Sequence, residues 1–188
     1  MRSDQPICSQ LGSRAGLLVG WTVGPTLAGT YFGEPTVVLQ RRSGKDSNRN
    51  EFSMISKGYN THNTKMSYVD HTNIPKDLLD LLNTLPIKYP VFSINIQPPG
   101  SVVPAHEDTW RIWYDKHPVE AKKYTFEDTV FFIVFLTPQE IGHSFQCGNT
   151  NLKWGAGDVI RMPYYCKHAT SNAGFTNKIL VQCLGIKQ

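Results

Sequence analysis

"GAGDVIRMPYYCKHATSNAGFTNKILVQ", residues 155–182, sets two short β-rich runs, "DVIRMP" and "KILVQ", on either side of a stretch that holds His168. Each run is bounded by Gly, Pro or Asn and is too short for a typical helix, which is the pattern of a strand closed by turns. Gly157 and Asp158 read as the turn into the first run, and Lys178 opens the second.

The same pattern recurs outward from this stretch. "TVVLQ", "VFSINIQ", "TVFFIVFLT", "HSFQCG", "NLKWG" and the full terminal run "KILVQCLG" are short, apolar and separated by turn residues. Their separations suit a sandwich or barrel better than βαβ units. One helix is expected, in "NIPKDLLDLLNTLP": Leu78, Leu79, Leu81, Leu82 and Leu85 supply an apolar face, Asn73 a cap and Pro75 a first turn, with Pro86 as the stop. The expected fold is therefore mostly β, a double-stranded β-helix (jelly roll, cupin-like) with one main flanking helix. A single domain is expected over residues 1–188, with flanking strands and loops over 1–70, the helix within 71–90 and the jelly-roll core over 91–188.

The chain has 188 residues, 40% hydrophobic and 18% charged, so its composition is globular. Its formal charge of +4 is mild, and the dense positive run is Arg41, Arg42 and Lys45 beside "SGKDSNRN". That run lacks the basic stripe with interleaved aromatics of a nucleic-acid binder, and reads as a solvated loop. The apolar stretch at 15–29 is broken by Gly20, Gly24 and Pro25 and is too short to span a bilayer. Cys8, Cys147, Cys166 and Cys183 are widely spaced, which suits reduced thiols in a cytoplasmic protein.

"PPGSVVPAHEDTWRIWY", residues 98–114, carries the second half of the functional argument. In extended backbone His106 and Asp108 leave the same face while Glu107 points away. Two histidines and one carboxylate on a common face, with open coordination positions, are the ligand set of non-haem Fe(II) oxygenases. Six histidines among fifteen acids make a chance H-x-D match common, so the pair carries weight only with the downstream pattern of Gly157-Asp158, His168 and Lys178.

On those residues, over roughly 91–188, the sequence resembles the Fe(II)/2-oxoglutarate-dependent dioxygenases. Lysine at 178 is similar to the prolyl 4-hydroxylase branch, and "PPGSVVPAHED" with "HATSNAG" to the aspartyl/asparaginyl hydroxylase branch. The resemblance implies His106, Asp108 and His168 as catalytic metal ligands and Lys178 as the anchor of the far carboxylate of 2-oxoglutarate. It implies Fe(II), 2-oxoglutarate and O2 as cofactor and co-substrates, and hydroxylation of a C–H of an amino acid, peptide or protein side chain with release of succinate and CO2. Desaturation and ring closure stay open as outcomes. The arginine- and asparagine-rich run that follows the distal histidine in nucleic-acid demethylases is absent here.

The residues themselves leave alternatives. Arg161 competes with Lys178 for the co-substrate if "DVIRMP" turns it inward. Asn95, alternating with Ser93 along "VFSINIQ", is a candidate for bonding the oxoacid. Arg111, between Trp110 and Trp113, is a candidate substrate grip, since a guanidinium fork fits a carboxylate or phosphate. His143, Tyr164 and Cys166 are further residues that could approach the site, Cys166 reading better as packing. A non-catalytic cupin-like module that binds a metal or ligand is the rival function. The expected partner is a small-molecule or peptide substrate, with no membrane; a nucleic acid held by the basic loop at 41–49 is the least favoured reading.

Overall fold

The computed structural model describes residues 9–13, 67–70, 74–108, 110–162 and 166–188, with side chains assigned from residue 74 onward except at Arg111. The basic run at Arg41, Arg42 and Lys45, the apolar stretch at 15–29, Cys8, Asn73, Pro163 and Tyr164 lie outside the described residues.

The strands are β1 (Ser9–Ser13), β2 (Ser67–Asp70), β3 (Ile87–Gln97), β4 (Ser101–His106), β5 (Thr129–Phe135), β6 (His143–Cys147), β7 (Thr150–Asn151), β8 (Asp158–Met162), β9 (His168–Asn172) and β10 (Lys178–Lys187). They form a six-stranded sheet, order β1-β8-β5-β10-β3-β2, and a four-stranded sheet, order β4-β9-β6-β7. From β3 onward the chain passes between the sheets, placing β3, β5, β8 and β10 in the larger and β4, β6, β7 and β9 in the smaller. That order, with every pairing antiparallel, is a double-stranded β-helix. β1 and β2 extend the two edges of the larger sheet.

Period-two alternation sorts each strand of the larger sheet between two cores. Phe131, Ile133 and Phe135 of β5, Ile160 and Met162 of β8, and Leu180 of β10 face the smaller sheet, where Phe145 and Trp154 meet them. Phe132, Val134, Val159, Ile179, Val181 and Ile94 face the other way and are covered by Leu78 and Leu82 of helix α1 (Lys76–Leu82). Both faces of β5 are buried, which is why six of its seven residues, Val130 to Phe135, read as an unbroken apolar run. Gly157, at φ 87°, makes the turn before β8, and the Asp158 carboxylate accepts the Gly155 N–H at 2.8 Å to hold it.

Helix α1 falls within the 71–90 interval: it begins after Pro75 and ends at Leu82, short of Pro86, and β3 starts at Ile87, where the following residues pair with β10. A second helix, α2 (Arg111–Lys116), and two 3₁₀ turns, Glu120–Lys122 and Phe126–Asp128, join β4 to β5. The cause of α2 is local: Trp110 and Trp113 stand one helical turn apart and both sink into the inter-sheet core. No helix among the described residues is long and apolar enough to cross a membrane.

Candidate metal site

β4 and β9 pair so that His106 stands opposite His168, and the chain carries Asp108 back to them just beyond the end of β4. One ligand atom from each of the three residues can be chosen so that all lie within 4.8 Å of one another. His106 Nδ1 lies 2.8 Å from Pro104 O and His168 Nδ1 lies 3.1 Å from Cys166 O. A carbonyl only accepts, so each Nδ1 carries the proton and each Nε2 keeps its lone pair for the site. The two Nε2 atoms lie 3.7 and 3.5 Å from the Asp108 carboxylate oxygens.

Phe145 stacks on the His168 ring and Phe131 meets it edge-on. This burial, only partly opposed by the Asp108 charge, pulls the His168 pKa below its usual value and keeps the imidazole neutral. Asp108 Oδ2 is buried with no hydrogen-bond partner among the described residues, and 3.5 Å to His168 Nε2 is beyond good hydrogen-bond length. Two lone-pair nitrogens around an orphaned carboxylate oxygen form a donor set that fits a divalent cation.

The triad opens on a cavity of about 50 Å3. Asn95 and Gln97 of β3 with Leu180 and Gln182 of β10 form its wall on the larger sheet, and Val103, Phe145 and Thr170 its wall on the smaller. No lysine or arginine among the described residues lines it. Gln97, Thr170 and Gln182 escaped the sequence reading, although the alternation through Ser93 and Asn95 leads directly to Gln97, and that through Lys178 leads to Gln182.

Lys178 is fully buried behind Thr170. Its Nζ bonds Ser144 O and Ser171 O, each at 2.8 Å, and the Thr170 hydroxyl, and sits 6.0 Å above the Trp154 ring. Burial, with no carboxylate among the described residues beside it, lowers its pKa to about 7. Thr170 Oγ1 donates in turn toward Gln97 Oε1 at 3.1 Å, so the lysine fixes one wall of the cavity from behind.

The remaining candidates fall elsewhere. Arg161 is exposed on the outer face of β8, because Ile160 and Met162 take the inward positions; it does not reach the cavity, which corrects its reading as an anchor. Trp110 and Trp113, which flank Arg111 in the sequence and as aromatics beside the H-x-D pair read as substrate-facing along with it, are 2% and 0% exposed in the inter-sheet core, Trp113 Nε1 donating to Tyr89 O at 2.9 Å, so that reading is corrected to packing. Arg111 starts α2, and its side chain is outside the described set. His143 lies at the far end of β6, opposite Asn172, whereas Cys147 at the near end stands opposite His168. Cys166 packs in the core, and its carbonyl orients His168.

No family model matches the sequence, and no curated protein matches it. Among solved structures it is similar to a predicted oxalate decarboxylase from Thermotoga maritima at 16% identity and TM-score 0.38, over 65% of this chain and 79% of that one. It is also similar to the Cupin_2 domain of an XRE family transcriptional regulator from Enterobacter cloacae at 10% identity and TM-score 0.41, over 65% and 98%. A third similar structure is the Cnp3 cupin domain of Schizosaccharomyces pombe, at 10% identity and TM-score 0.40, over 65% and 61%.

Proposed function

We propose that this chain is a cupin-like metal-binding module in which His106, Asp108 and His168 hold one divalent ion and leave coordination positions open toward the cavity. The observation that supports it is the convergence of two Nε2 lone pairs on the orphaned Asp108 carboxylate, with both Nδ1 atoms tied to carbonyls. Such backing fixes the tautomer and ring orientation that a ligating histidine needs. Titration calorimetry with Co(II) should find one site per chain. His168→Ala should weaken it by more than about 100-fold, since loss of a ligand exceeds the effect of losing its supporting bond; unaltered binding in that variant removes the reading.

A second reading is favoured by the ligand types: two histidines and one carboxylate suit Fe(II) with open positions. It makes the chain a 2-oxoglutarate-dependent dioxygenase that hydroxylates an amino acid, peptide or protein side chain. Bound iron, with 2-oxoglutarate and O2, supplies oxidation of a C–H bond. The chain's own part is to hold the ligands, exclude water and turn Lys178 from Ser144 and Ser171 toward the far carboxylate. Anaerobic addition of Fe(II) and 2-oxoglutarate should then give a visible charge-transfer band, and Lys178→Ala should weaken 2-oxoglutarate far more than iron. A colourless wild-type mixture rejects this reading and leaves the metal module standing.

A further inference from the structure

The larger-sheet wall of the cavity contains an unexplained polar side chain. Asn95 is 1% exposed, lines the cavity, and has no partner among the described residues for either its Nδ2 or its Oδ1. Apart from Asp108, whose free oxygen belongs to the metal site, the polar residues beside it are not in this condition. Gln97, two residues on along the same face, bonds Ser101 O, Thr170 O and the Thr170 hydroxyl. Asn172 donates to Gln97 O and Thr176 O and accepts from Gly174 N–H. Burial of an unmatched amide opposes folding, so the fold itself gives no reason for asparagine at this position.

From Asn95 and the cavity it faces, we infer that the metal site takes a small chelating ligand whose second end is an uncharged group able both to donate and to accept a hydrogen bond. A carboxamide or an alcohol is such a group. The inference rests on the metal-binding reading above and names the ligand class of that site.

Three features set this chemistry. An asparagine side chain offers a donor and an acceptor side by side, so a second carboxylate would satisfy Nδ2 and confront Oδ1. No described cation lines the cavity to neutralise a second negative charge, since Lys178 is spent on Ser144, Ser171 and Thr170. Leu180, directly opposite Asn95 in the ladder, gives the group an apolar neighbour, with Gln182 one same-face position further along β10. Size is restricted too: about 50 Å3 corresponds to only a few water-sized positions, at roughly 10–15 Å3 each.

Oxamate and oxalate are matched probes, equal in size, each able to chelate a metal, and differing in an amide NH2 against a carboxylate oxygen. The experiment first titrates the protein with Co(II), then titrates the loaded protein with each anion, in wild type and in Asn95→Leu. The stronger intrinsic chelation by oxalate cancels when each anion is compared with itself across the two proteins. Asn95→Leu should leave Co(II) affinity unchanged and weaken oxamate about tenfold more than oxalate, the equivalent of about 1.4 kcal/mol. Asn95→Ala, smaller than the native side chain, should show the same selectivity and guards against a packing fault in the leucine variant. If both anions weaken equally, or neither changes, Asn95 reads no ligand amide and serves at most a bound water; the inference falls while the metal reading stands. Failure of the wild type to bind Co(II) removes both, and is seen before either anion is added.

Discussion

A fully buried lysine, with no carboxylate among the described residues beside it, makes the stability of this protein depend on pH. The folded Lys178 titrates at about 7, whereas an unfolded lysine titrates at about 10.4. Between those values the unfolded chain holds a proton that the native chain has released, so stability rises with pH through that window, by up to about 1.4 kcal/mol per unit. Below pH 7 both states carry the proton and the opposition of burial to folding is fully present. Lys178→Met removes this slope. Urea-unfolding midpoints measured at pH 7 and pH 9 should diverge in the wild type by more than in the variant, and equal slopes would show that the lysine does not titrate within the fold.

Among the elements, β3, β5 and β10 determine most of what the site can be. Their alternation sends Asn95 and Leu180 to the cavity and Ile94 and Val181 to the layer under α1. Leu82, 2% exposed at the end of that helix, is packed in this outer core. Leu82→Ala should therefore cost about 2–5 kcal/mol of unfolding free energy, read by urea denaturation, while leaving Co(II) affinity unchanged because it alters the face opposite the metal.

The strand pattern was legible from sequence because turn residues bracket each run, and the pair of His106 and Asp108 was legible from its H-x-D spacing, although Asp108 lies just beyond β4. Helix α2 was not, since its apolar period covers a single turn. Arg161 and the two tryptophans were misjudged through facing direction: which side of β8 faces inward is set by its pairing with β5, and the tryptophans are drawn under by α2. The engagement of Lys178 by Ser144, Thr170 and Ser171 joins two sheets and has no local signature.

At the scale of the whole molecule, a ligand that binds only the folded state adds to stability by mass action. Co(II) at 100 times its dissociation constant should raise the unfolding free energy by about 2.7 kcal/mol. Thermal melts with and without Co(II) should show the shift in the wild type and lose it in His106→Ala. The two histidines stand on β4 and β9, and the chain must lay down β5 through β8 between them before those strands can pair. Contacts between such distant parts of a chain form slowly and late. A metal held across that closure meets its full ligand set only once folding is nearly complete, so its stabilisation belongs to the lifetime of the native state: unfolding slows while the rate of folding stays as it was.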